Sequence, residues 1–182
     1  MKILGIDPGS VLLGYGAIDC RGNSIQLIEY GVVKAKLIQE EYLKRLEEIH
    51  LRVGEIIDRV QPDIVSFESM FYHKNVQTLI KLAQARAVAI LAVTSRKIDI
   101  IEYSPMEVKK SVTGKGNASK QQVQFMVRNI LKISETPEFF DSTDALAIAI
   151  THSFKQNSTT QNAKRIRNWS DFINQNPDRV LK

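Results

Sequence analysis

With 182 residues, a single cysteine and a net charge of +5, the chain has the length of one domain that buries about 70% of its unfolded-state surface, and it excludes a disulfide framework. The basic balance, with a pI near 9.3, favours a polyanionic partner, although many basic proteins bind no nucleic acid. Met1-Lys2 leads straight into an apolar strand, and the longest apolar run, 87–94, is too short to span a bilayer. The expectation is a soluble, cytoplasmic protein in a reducing compartment, with no signal segment and no membrane.

The first predicted element is the short strand Lys2-Ile3-Leu4-Gly5-Ile6, ending at Asp7 and stopped by Pro8-Gly9. Residues 11–19 and 26–34 read as a hairpin around Arg21-Gly22-Asn23. Leu43, Leu46, Ile49, Val53, Ile56 and Val60 recur at three- and four-residue steps, the period of an amphipathic helix. After the turn residues Gln61-Pro62, the run Asp63-Ile64-Val65-Ser66-Phe67 is a second apolar strand, ending at Glu68. A long helix covers about 75–95. A short strand over 98–103 then leads to Pro105, a favoured first helical position. Another helix spans about 119–131 with Ser119 as its cap, and the last core helix starts at Asp141. Residues 157–162 are polar and unpatterned and read as a linker. The expected division is therefore a core over 1–156 and, over 157–182, a linker with a basic and aromatic tail. In that tail Trp169, Phe172 and Ile173 stand at helical spacing, which favours docking back onto the core over contact with DNA. A three-strand meander followed by alternating helices and strands is an α/β pattern.

The acids carry the chemistry. Asp7 ends a strand expected to be buried on both sides, where an ionised carboxylate costs several kcal/mol unless a cation or hydrogen bonds compensate. A metal, a basic partner or a plain Asx-turn all satisfy it. Glu68 likewise ends an apolar run and is followed by Ser69-Met70-Phe71-Tyr72, not by a charge run. Asp141 and Asp144 share one face of a helix start, roughly 5–6 Å apart at Cβ; capping is the alternative, with Asp141 as N-cap. Clusters at two strand ends and one helix start together suggest a hard-cation site, suited to magnesium or manganese. Cys20, His50, His73 and His152 form no ligand-spaced cluster, which excludes zinc. Cys20 reads as a small hydrophobe, His50 as exposed, and His152, two turns past Asp144, as a candidate to face the site.

Gly5-Ile6-Asp7-Pro8-Gly9, Phe67-Glu68, Lys74-Asn75, Leu82-Ala83-Gln84-Ala85-Arg86, Val112-Thr113-Gly114 and Asp141-Ser142-Thr143-Asp144-Ala145-Leu146-Ala147 resemble, in order and without a large gap, the RuvC family. These are the bacterial Holliday junction endonucleases of the ribonuclease H-like superfamily. The resemblance implies a ribonuclease H-like fold, a five-stranded mixed sheet with helices on both faces. It places the family's catalytic and metal-binding acids on Asp7, Glu68, Asp141 and Asp144, with two Mg²⁺ ions per site and Mn²⁺ able to substitute. The implied reaction is resolution of four-way junctions by paired, symmetric nicks that leave 5′-phosphate and 3′-hydroxyl ends. The implied partners are junction DNA, a second copy in a two-fold homodimer, and the RuvA-RuvB branch-migration complex. One departure stands out: Ala87 follows Arg86 where the family usually has glycine, so a slight packing shift is expected.

For DNA contact, Lys109, Lys110, Lys115 and Lys120 cluster around Gly114 and Gly116, where backbone amides can approach phosphates. A solvated face is the alternative, and the resemblance tips the balance, matching Lys109 and Lys120 best. Phe71 and Lys74, directly after Glu68, pair an aromatic with a cation. Phe71 either stacks on a base exposed at the crossover, worth roughly 1–3 kcal/mol, or is a core residue. The first loop also resembles that of actin-like ATPases, which need two duplicated domains of this size. A catalytically dead DNA-binding relative would have lost an acid.

Overall fold

In the computed structural model, which describes residues 1–22, 24–38, 41–69 and 75–163, a five-stranded sheet stands between two helical layers. Its strands are β1 (Lys2–Asp7), β2 (Leu13–Arg21), β3 (Ser24–Val33), β4 (Ile64–Glu68) and β5 (Asp99–Tyr103), in the order β3-β2-β1-β4-β5. β1–β2–β3 is an antiparallel meander, while β4 and β5 join parallel to β1. The five-stranded mixed sheet implied by the RuvC resemblance is present. The helices are α1 (Ala35–Ile38), α2 (Tyr42–Val60), α3 (Val76–Thr94), α4 (Pro105–Thr113), α5 (Lys120–Leu131) and α6 (Phe140–Ala163). Only the single-turn α1 lacked a signal in the sequence.

Alternation along β1 divides the core. Leu4 and Ile6 face α2 and α3 with Val65, Phe67 and Ala85. Ile3 points the other way and joins Val108, Val127, Leu146 and Ile150 of α4, α5 and α6. Local signals bound the helices. Ser104 and Glu107 form a reciprocal capping box behind Pro105, and Ser119 and Gln122 form another at α5. Asn75 caps α3 by accepting from the Thr78 amide at 3.1 Å. Gln61 closes α2 in the left-handed region, ahead of Pro62.

Four expectations need correction. The polar stretch from Asn157 continues α6 to Ala163, because Asn, Ser, Thr and Gln each cost a helix only a few tenths of a kcal/mol and no Gly or Pro interrupts. Residues 164–182, including Trp169, Phe172 and Ile173, lie outside the described residues. Asp141 is not an N-cap, since α6 already begins at Phe140. Leu43 is 69% exposed, leaving the buried stripe of α2 to start at Ile49. His50 is half-buried, its Nδ1 3.3 Å from the Val88 carbonyl of α3.

α3 is by length and composition apolar enough to cross a membrane. Here it packs on α2, burying Ala85, Ala89, Ala92 and Val93. Val76, Ile80 and Leu91 are left 64%, 51% and 57% exposed on its outer side. Ala87 is exposed and belongs to this outer side.

Candidate active site

Three elements bring the acids together. β1 and β4 run parallel with Ile6 beside Phe67. One residue further, Asp7 and Glu68 end neighbouring strands and project to the same face. That face is the one covered by α6, which can reach it because the sheet beneath carries glycines. A methyl group on Gly5 would fall on the Ala145 carbonyl, and one on Gly14, the cross-strand partner of Asp7, on the Asp141 carbonyl. α6 therefore lies against bare backbone, and its first turns deliver Asp141 and Asp144 beside Asp7. The Ser142 and Thr143 hydroxyls donate back to the Phe139 and Phe140 carbonyls, each at 2.8 Å, and steady that turn.

The result is a cavity of about 300 Å³ lined by Asp7, Glu68, Asp144, Lys109, Lys120, Pro105, Val108 and Val123. Crowded carboxylates with little water raise one another's proton affinity. Burial first, then Glu68, Asp144 and Asp141, push the Asp7 carboxyl from its ordinary 3.8 to about 8, with Lys120 opposing. Glu68 is raised by burial and then by Asp144, against Lys120 and Lys109. Asp144 is raised by burial despite a 2.9 Å hydrogen bond from Lys120 Nζ. Burial pulls Lys120 down, but its bond to Asp144 and the fields of Asp144, Asp7 and Asp141 hold it above its ordinary value.

Such a set is short of positive charge, and its donors are all oxygen, which fits a hard divalent cation. Among the described residues, no three His, Cys, Asp or Glu side chains stand in a ready-made cage. The ammonium of Lys120 instead occupies an oxygen of Asp144.

Of the predicted residues, Asp7, Glu68, Asp144, Lys109 and Lys120 line one cavity, and Asp141 acts on Asp7 from its edge. Lys115 lines a separate hollow, and Lys110 is exposed at the end of α4. Phe71 and Lys74 lie outside the described residues. The Gly114 amide donates to the Lys110 carbonyl and the Lys115 amide to Thr113 Oγ1, and Gly114 serves as a left-handed helix stop with φ 78°. His152 does not face the acids; its Nδ1 meets the Tyr103 hydroxyl at 2.7 Å in the core. Pro105, Val108 and Val123, the dry wall of the cavity, had no signal beyond helical periodicity. Arg86, quoted above only as part of a motif, sits over the Phe67 ring at 5.7 Å, with Nη2 2.7 Å from Glu102.

The family model described as crossover junction endodeoxyribonuclease RuvC matches residues 3–152. The chain is 40% identical to the crossover junction endodeoxyribonuclease RuvC of Porphyromonas gingivalis, over 98% of this chain and 96% of that protein. It is 42% identical to the protein of that name from Bacteroides fragilis, over 98% and 95%. The structure is similar to that of Thermus thermophilus RuvC in complex with Holliday junction substrate, with a TM-score of 0.81 and 34% identity, covering 88% of this chain and 97% of that one.

Proposed function

Because this chain belongs to the RuvC family, the crossover junction endodeoxyribonucleases, we propose that its acid cavity cuts the DNA of four-way junctions in recombination and repair with the help of two divalent cations. The observation that carries this reading is the meeting of Asp7, Glu68 and Asp144 in one cavity with Lys109 and Lys120, and with Asp141 at its edge. Asp7, on which Glu68, Asp144 and Asp141 all act, would hold the ions together with those three acids. When bound, Mg²⁺ or Mn²⁺ neutralises the acids, lowers the pKa of the attacking water and stabilises the leaving 3′ oxygen, giving 5′-phosphate and 3′-hydroxyl ends.

The chain's own groups prepare this chemistry. Lys120 holds Asp144 in place through its 2.9 Å hydrogen bond and adds positive charge that a phosphate would meet. Lys109, half-buried in the lining of the same cavity, adds positive potential where the transition state gathers negative charge. Pro105, Val108 and Val123 keep bulk water out. Phe71 and Lys74 follow Glu68 in sequence, and there we place the stacking contact on a crossover base.

The partners follow from the same reading. The outer side of α3, with Val76, Ile80 and Leu91 uncovered, is the face on which two copies pair. A two-fold pair puts one acid cavity on each of two opposing strands, as symmetric nicking requires. The RuvA-RuvB complex is the expected delivery partner, the cytoplasm the expected setting, and 1–156 the nuclease domain. The test is nicking of a synthetic four-way junction against its component duplexes. Paired nicks with Mg²⁺ and none in EDTA are expected; ATP turnover without nicking, or cutting that ignores EDTA, would overturn the reading.

A further inference from the structure

A second hollow, of about 340 Å³, lies on the other side of the first turn of α5 from the acid cavity. Its walls include Lys115, Ala118, Gln121, Gln122, Phe125 and Met126. Lys120 and Val123 face the acids, whereas Gln121 and Gln122 face this hollow. One helix, about 10–12 Å across with its side chains, therefore separates the two. Phe125 is 63% exposed at its rim. Met106, 67% exposed, packs on the turn between them: a methyl group on Gly116 would come within 2.8 Å of its Cγ.

Two large apolar side chains left in water next to a cluster of lysines need an occupant that is both apolar and anionic. Along 106–126 the charges are Lys109, Lys110, Lys115 and Lys120 against Glu107. The carboxylate of Glu107 is already engaged by Lys155 at 2.6 Å and by Ser104. We infer that this hollow receives an unpaired nucleobase of the cut strand, flat against Phe125, with flanking phosphates on Lys115 and Lys110. Its volume falls in the range of about 300–1,000 Å³ that suits small-molecule-sized groups. Gln121, and the amide nitrogen of Gln122, whose Oε1 already accepts from the Ser119 amide, offer hydrogen bonds to the base edge. A base still stacked in duplex cannot enter, so the hollow favours opened DNA roughly one to three nucleotides from the scissile phosphate, the reach set by one helix width. This rests on the junction-nuclease reading above, and it is a site separate from the one assigned to Phe71.

The experiment uses the full chain and four-way junctions carrying a single 5-iododeoxyuridine at successive positions around the cut. Irradiation followed by peptide mapping is expected to place a crosslink on the peptide holding Phe125 and Met126 from one or two positions only. F125A is expected to weaken binding to opened junctions by at least about fivefold, the lower end of base–aromatic stacking. It should leave duplex binding and the melting temperature unchanged, and F125W should restore affinity. If the wild type cuts junctions but no position crosslinks there, or if F125A weakens duplex and junction binding alike, the hollow is not a base site. A wild type that neither binds nor cuts junctions overturns this inference together with the reading beneath it.

Discussion

Replacing Asp7 with Asn alters the charge balance of the acid cavity while keeping its shape. The Asp7 carboxyl is held near 8 in the folded, metal-free protein, against an ordinary 3.8. Between those values the unfolded chain has released this proton and the folded chain retains it. Stability therefore falls as pH rises through the window, by about 1.4 kcal/mol per pH unit from this group. By pH 7 the accumulated loss reaches a ceiling of about 4 kcal/mol, and movement of Lys120 and entry of water bring the expected value to roughly 2 kcal/mol. Asn has no proton to lose. In EDTA at pH 7, Asp7→Asn is expected to melt about 4–8 °C above wild type, with the gap closing toward pH 4. Saturating Mg²⁺ narrows the gap from the other side, because the ions stabilise the wild type and find no carboxylate at position 7 in the variant. The same substitution should retain junction binding and lose nicking by orders of magnitude. Melts from pH 4 to 8.5 in EDTA and in Mg²⁺, with a nicking gel on the same samples, provide the data. A variant that melts at or below wild type across the whole EDTA series would refute the electrostatic account. One that cuts near the wild-type rate would refute the assignment of Asp7.

Gly14→Ala places a methyl group on the Asp141 carbonyl, so α6 must lift at its first turn. We expect about 1–3 kcal/mol of destabilisation by urea titration, and a loss of nicking of at least about tenfold even where the protein is fully folded. Unchanged nicking would mean that the approach of α6 does not set the acid geometry. Leu91→Glu, on a side chain that is 57% exposed, should leave the chain folded by circular dichroism, with the melting temperature lowered only by the loss of the partner copy. It should convert dimer to monomer in light scattering and replace paired nicks with single ones. A variant that remains dimeric would place the interface elsewhere.

Much of this protein is legible in its sequence because the responsible forces are local. Continuous apolar runs with β-branched residues mark β1 and β4, and the acids that end them stand out because charge is costly beside Ile6 and Phe67. Pro105 and Ser119 announce two helices, whose starts the structure closes with the capping boxes of Ser104 with Glu107 and Ser119 with Gln122, hydrogen bonds that span a single turn. Polar composition was a weaker guide: residues 157–162 looked like a linker, yet they extend α6, because helix propensity differences of a few tenths of a kcal/mol do not stop a helix already nucleated. The tertiary structure decided what depends on contacts between distant segments. Strand order and register set Asp7 beside Glu68, and the bare backbone of Gly5 and Gly14 admits α6 closely enough to add Asp141 and Asp144. Neither glycine betrays that role in its own neighbourhood, since the clash each avoids is with the backbone of a helix more than a hundred residues away. The bond of Lys120 to Asp144, the turn of His152 toward Tyr103, the uncovered side of α3 and the hollow under Phe125 belong to the same class. Each is fixed by which helix packs on which face, a choice made by the summed burial of the whole core.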